Sequence, residues 1–108
     1  MSQVQTVLGP VDASQLGQTL MHEHVFVVTA EVQQNYPDEW GDEEARIADA
    51  VRRLAQLPKN GISTFVDVTA IGQGRNIPRI AKIAPQLPDL NIVVATGVYT
   101  FDEVPLFF

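Results

Sequence analysis

Cysteine is absent from the 108 residues. That excludes a disulfide framework, a thiolate metal site, an iron–sulfur cluster and a cysteine nucleophile, so any metal would rest on histidine and carboxylate. Basic residues are scarce, with 7 Lys plus Arg against 13 Asp plus Glu and a net charge of -6. No basic run exists, and a sequence-independent electrostatic grip on nucleic acid is therefore not expected. No stretch approaches the roughly 18 apolar residues of a membrane span, and residues 1–10 lack both the basic and the apolar region of a signal peptide. The expected compartment is the cytoplasm, with neither membrane nor nucleic acid as partner. Gly and Pro number only 7 each beside 45 % hydrophobic residues, a composition of globular chains and not of disordered or collagenous ones. The length corresponds to a single domain.

Residues Val4 to Leu8 alternate polar and apolar before a Gly9-Pro10 turn signal, and Val11 to Leu16 leads to Gly17, which predicts a short hairpin. Thr19 to Val28 is rich in apolar and β-branched side chains, interrupted by His22, Glu23 and His24, and predicts a first strand. Glu31 to Trp40 has no clean period and, with Pro37 and Gly41, predicts a loop. Asp42 is an N-cap candidate for a helix running to about Leu57, whose residues Ile47, Ala50, Val51, Leu54 and Leu57 share one face. Asn60-Gly61 supplies a left-handed stop before a second strand, Ile62 to Val68, apolar on both faces except at Asp67. Asn76 caps a second helix, with Ile77, Ile80, Ala81, Ala84 and Leu87 on its apolar face and Pro85 limiting its length. Asn91 to Thr96 predicts a third strand, closed by Gly97. Strands apolar on both faces that alternate with one-sided helices define an α/β chain with a parallel sheet. Three strands and two helices fill only part of a layer, and the apolar ending Val104 to Phe108 has no polar cap, so residues 1–108 read as a single partial domain.

His22 and His24 are the only two histidines. Strand side chains alternate faces with a rise of about 3.3 Å per residue, so the two imidazoles project to the same side with Cα atoms roughly 6.6 Å apart. They can converge on one ion. Imidazole suits zinc and other divalent transition metals, whereas calcium and magnesium prefer oxygen. A catalytic zinc takes about three protein ligands, so the pair alone is not a site. A chance pairing on a strand is the competing reading. Position argues for the metal, because the C-terminal edge of a parallel sheet or barrel carries its active site.

Gly9-Pro10, Gly17 leading into Met21-His22-Glu23-His24-Val25, Gly61 to Thr69, Gly72 to Asn76, and Asn91 to Tyr99 together resemble the start of the phosphotriesterase-like enzymes. These belong to the amidohydrolase superfamily and include the phosphotriesterase-related proteins and phosphotriesterase-like lactonases. The resemblance spans nearly the whole chain in order. It implies a (β/α)8 TIM barrel, incomplete at 108 residues, and a centre of two divalent transition metals, most simply zinc. Those metals would activate a hydroxide for attack on a small-molecule lactone, carboxylester or phosphotriester. His22 and His24 would bind the more buried metal. The family's other ligands, a carboxylated lysine, two histidines and an aspartate, come from strands four, five, six and eight, beyond this chain. A barrel needs at least about 200 residues, so these residues correspond to the first two and a half βα units. Expressed alone, they are expected to be inactive and to self-associate; the complete enzyme leaves room for a homodimer.

Tyr99 follows the third strand, where substrate-facing loops begin, and a tyrosine at the matching position of lactonase-like members faces the substrate. It reads equally as a core or rim aromatic packed on Phe101. Asp67 reads more readily as a hydrogen-bonded structural carboxylate than as a buried functional one, and strand alternation turns Glu23 away from the histidines. Gly72 and Gly74 shape a loop; Ile77 stands where a dinucleotide fingerprint needs its third glycine. Asp38, Glu39, Asp42, Glu43 and Glu44 form a solvated cluster at a helix start. No catalytic acid or base is assigned. The reading from another class is a small flavodoxin-like ligand-binding or interaction module without metal.

Overall fold

The computed structural model describes residues 2–99. The element order is β1 (Gln3–Thr6), β2 (Gly9–Asp12), a 3-10 turn (Ala13–Gln15), β3 (Gln18–Glu23), α1 (Ala30–Asn35), α2 (Pro37–Trp40), α3 (Glu43–Leu54), α4 (Gln56–Lys59), β4 (Ile62–Asp67), α5 (Ile77–Ile83), a second 3-10 turn (Ala84–Gln86) and β5 (Asn91–Val94). β3, β4 and β5 form one sheet in sequential order with both pairings parallel. This is the α/β arrangement the alternation of strands and amphipathic helices predicts. Among the described residues no helix is long and apolar enough to cross a membrane.

β1 and β2 form the expected hairpin, but its turn is Val7-Leu8 and not Gly9-Pro10. Thr6 pairs with Gly9 and Gln5 with Pro10, and the Thr6 hydroxyl donates to the Gly9 carbonyl at 2.6 Å, closing the turn earlier. Proline is tolerated there because a two-stranded edge does not need its missing N–H. The Val7 N–H, donating to Ile92 O at 2.9 Å, ties the hairpin to β5.

Capping chemistry sets the helix starts. Asp42 accepts from the Ala45 N–H at 2.8 Å ahead of α3, and Asn76 accepts from the Arg79 N–H at 3.0 Å ahead of α5, each satisfying a donor that the first turn leaves unpaired. The helix expected to run to Leu57 ends at Leu54, and a separate turn, α4, continues to Lys59. Gly61, at φ 84°, makes the predicted left-handed stop. Ile47, Ala50 and Leu54 of α3, Ile80 and Ile83 of α5, and Leu87 and Leu90 beyond it pack on Phe65 and Ile92 of the sheet. Ala81 is exposed instead of buried, and Ile83 takes its place with no exposure at all.

Two further segments depart from expectation. The first strand ends at Glu23, not Val28, and residues 31–40 hold two short helices instead of a loop. Thr29 caps α1 by accepting from Val32 N–H at 3.3 Å, and Pro37 opens α2. The chain leaves the sheet after Glu23 while Val25 and Phe26 still pack on the core.

The acidic cluster at the start of α3 is not wholly solvated. Arg79 is buried, donating Nε to Glu43 Oε1 at 2.7 Å and Nη2 to Oε2 at 3.1 Å, and its guanidinium lies 4.4 Å from the Trp40 ring centroid. Trp40 Nε1 also donates to Glu43 Oε2 at 3.0 Å. The Arg79 hydrogen bonds hold the Glu43 carboxyl below the ordinary glutamate range against the opposing effect of desolvation, with the Trp40 bond assisting. A carboxyl whose folded pKa is lowered adds stability that is complete above its unfolded value of about 4.3 and is lost as pH falls through the folded value. Urea titrations should therefore find Glu43→Gln less stable than the native chain at neutral pH, with the gap closing under acid. A gap independent of pH would remove the ion pair as its cause.

Candidate functional site

All three parallel strands end on one side of the sheet, and their continuations stay paired there. Val68 N–H donates to Glu23 O at 3.0 Å, Ala95 N–H to Asp67 O at 3.0 Å, Ile71 N–H to Gly97 O at 3.1 Å and Tyr99 N–H to Ile71 O at 2.7 Å. This rim carries His22, His24, Asp67, Thr69 and Tyr99.

Leu20 pairs with Phe65 and Glu23 with Asp67, so β3 carries one residue more than β4 over this interval and bulges at the histidines. Bulges re-aim side chains at strand ends. Strict alternation therefore does not govern the pair, yet the rings do converge, with centroids 5.7 Å apart and planes inclined at 77°. His22 is exposed and His24 half-buried. His24 Nδ1 lies 2.8 Å from the Thr69 hydroxyl. That hydroxyl also makes a short bond to Asp67 Oδ1, and the same carboxylate oxygen accepts the Thr69 N–H at 2.9 Å. Asp67 Oδ2 receives the Val25 N–H at 3.4 Å. Asp67 and Thr69 are both buried.

Asp67 thus makes structural hydrogen bonds as expected, but it also reaches the histidine pair through Thr69. A signal for this existed: Asp67-x-Thr69 at a strand end repeats the same-side spacing of His22-x-His24. Glu23 contributes its backbone carbonyl to the sheet. Tyr99 is 63 % exposed, and its alternative partner Phe101 lies outside the described residues. Gly72 and Gly74 shape the loop after β4, both at positive φ.

Two imidazoles converging at a strand end suit a zinc-type ion and make half of a tetrahedral shell. Among the described residues no group of three or more His, Asp or Glu forms a complete metal site. The donor chemistry of the pair fits two of the ligands such an ion takes.

Parallel βα units with paired imidazoles at the end of the first sheet strand define an α/β chain of the kind that places its chemistry at the C-terminal rim of the sheet. Residues 2–108 match the Phosphotriesterase family, and the chain belongs to it. It is 55 % identical over its whole length to a phosphotriesterase homology protein of Mycobacterium tuberculosis, of which it covers 33 %. It is 31 % identical over 91 % of its length to an aryldialkylphosphatase of Saccharolobus solfataricus, of which it covers 31 %. The solved structure of the phosphotriesterase from Mycobacterium tuberculosis superposes on 99 % of this chain with a TM-score of 0.93 and 54 % identity, using 33 % of the longer chain. The chain thus spans about a third of the length of these proteins. Family membership leaves the flavodoxin-like alternative without support.

Proposed function

We propose that residues 1–108 are the first βα units of a (β/α)8-barrel hydrolase that cleaves ester-type bonds in small molecules, be they lactones, carboxylesters or phosphotriesters, with divalent transition metals. The observation that carries this reading is the convergence of His22 and His24, 5.7 Å apart between ring centroids, on the sheet rim of a Phosphotriesterase-family chain. The activities for which two relatives are named, aryldialkylphosphatase and phosphotriesterase, support the same bond class. When bound, a zinc-type metal pair supplies a nucleophile at neutral pH by lowering the pKa of water and polarises the carbonyl or phosphoryl oxygen under attack. His22 and His24 would hold one of the ions and orient it against the rim. The exposed Tyr99 phenol would donate a hydrogen bond toward a substrate oxygen.

The test uses the full-length protein, stripped with a chelator and reloaded with zinc or cobalt, against a panel of lactones, aryl esters and phosphotriesters. Turnover of at least one class that vanishes with the metal is expected; no turnover of any class, or turnover indifferent to the chelator, overturns the reading. In the active protein, Tyr99→Phe should shift the ratio of lactone to phosphotriester kcat/KM by about two- to tenfold, the worth of one hydrogen bond, with metal content unchanged. Specificity constants that stay within error for both classes would return Tyr99 to a packing role.

A further inference from the structure

We infer that Asp67 and Thr69 are positioning residues that hold His24 as the Nδ1–H tautomer, leaving Nε2 as the metal-binding nitrogen. The inference rests on the metal reading of the histidine pair. A threonine hydroxyl has a single proton to donate, and an ionised carboxylate can only accept. Asp67 stands as an acceptor on both oxygens, taking the Thr69 N–H at 2.9 Å on Oδ1 and the Val25 N–H at 3.4 Å on Oδ2. The remaining bond to Oδ1 is therefore donated by the Thr69 hydroxyl. With its proton committed there, Thr69 Oγ1 offers only lone pairs to His24 Nδ1 at 2.8 Å, so that nitrogen carries the N–H. A neutral imidazole has one N–H, and Nε2 is left with its lone pair, the form in which histidine ligates a metal.

Burial makes the arrangement rigid. Asp67 is 4 % and Thr69 5 % exposed, and no buried side-chain nitrogen or oxygen among the described residues lacks a partner. Asp67 also grips the backbone one residue beyond the histidine through Val25 N–H, while Val68 N–H to Glu23 O at 3.0 Å grips it one residue before. The ring and its flanking backbone are thus referred to one carboxylate and one strand. A purely local role, in which Asp67 only closes the end of β4, would need Thr69 but not His24.

The experiment compares native, Thr69→Val, Thr69→Ser and His24→Ala forms of the full-length protein by two readouts. Zinc affinity is measured by competition with a chromogenic chelator, and the His24 tautomer of the metal-free protein by long-range 1H–15N correlation at alkaline pH, where imidazole is neutral. The expected results are an Nδ1–H signature in the native protein, its loss in Thr69→Val with zinc binding weakened about ten- to a hundredfold, and recovery of both in Thr69→Ser. An Nε2–H signature in the native protein overturns the inference without recourse to any variant. So does a Thr69→Val protein with native tautomer and native zinc affinity. If His24→Ala binds zinc as the native protein does, it is the metal reading of the pair that fails, a result separate from the tautomer measurement.

Discussion

His22→Ala in the full-length protein is expected to lose bound metal and, with it, hydrolysis by on the order of a hundredfold or more, since a metal's several kcal/mol of charge stabilisation in the transition state converts to that factor. The fold should survive. His22 is exposed at the bulge of β3, and the packed residues of the core are supplied by α3, α5 and the sheet interior. Removing it empties no apolar space and orphans no buried partner. His24→Ala should differ in kind, because it also removes the hydrogen bond to the buried Thr69 hydroxyl, which keeps its bond to Asp67, a loss of about 0.5–1.5 kcal/mol on top of the metal defect. Metal analysis, rate measurement and thermal melting on the two variants separate ligand loss from structural loss. Native metal content and rate in His22→Ala would exclude it as a ligand.

Features fixed by short-range chemistry were legible. Asp42, Asn76 and Gly61 mark the helix starts and the stop because a cap or a left-handed residue acts over three or four positions. The end of β3 was not, since Val25 and Phe26 are as apolar as a strand requires but bury that surface from a loop, docked where Val28 N–H donates to Gln73 O at 3.2 Å. Spacing exposed the histidine pair, yet the bulge that re-aims it depends on how β3 registers against β4. The same register, joining positions 45 residues apart, brings Thr69 to His24. Arg79 shows the limit most plainly. Its place off the apolar stripe of α5 argues for solvent, and Glu43, Trp40 and Phe26, all outside α5, account for its burial.

Gly74→Ala should be the most destabilising single-carbon change at this rim. Gly74 and Gly61 share a φ of 84°, a backbone conformation that disfavours any side chain. They differ in space. Around Gly61 an added Cβ meets nothing within 4 Å, whereas at Gly74 it would overlap the Val28 carbonyl oxygen outright and stand 2.7 Å from the carbonyl carbon. Gly61→Ala therefore carries only the left-handed penalty of about 1–2 kcal/mol. Gly74→Ala carries that and must also push two backbone segments apart, breaking the Val28 N–H bond to Gln73 O. A total of about 4 kcal/mol or more is expected, in the range reserved for backbone strain and core disruption. The parted segments are the loop leaving His24 and the loop leaving Thr69, so zinc affinity should fall in Gly74→Ala and hold in Gly61→Ala. Urea denaturation of the paired variants, with chelator competition at native-state temperatures, reads both effects. Equal losses of stability at the two glycines would mean that the loops can part freely, and the rim would then not be the rigid frame on which the histidine pair depends.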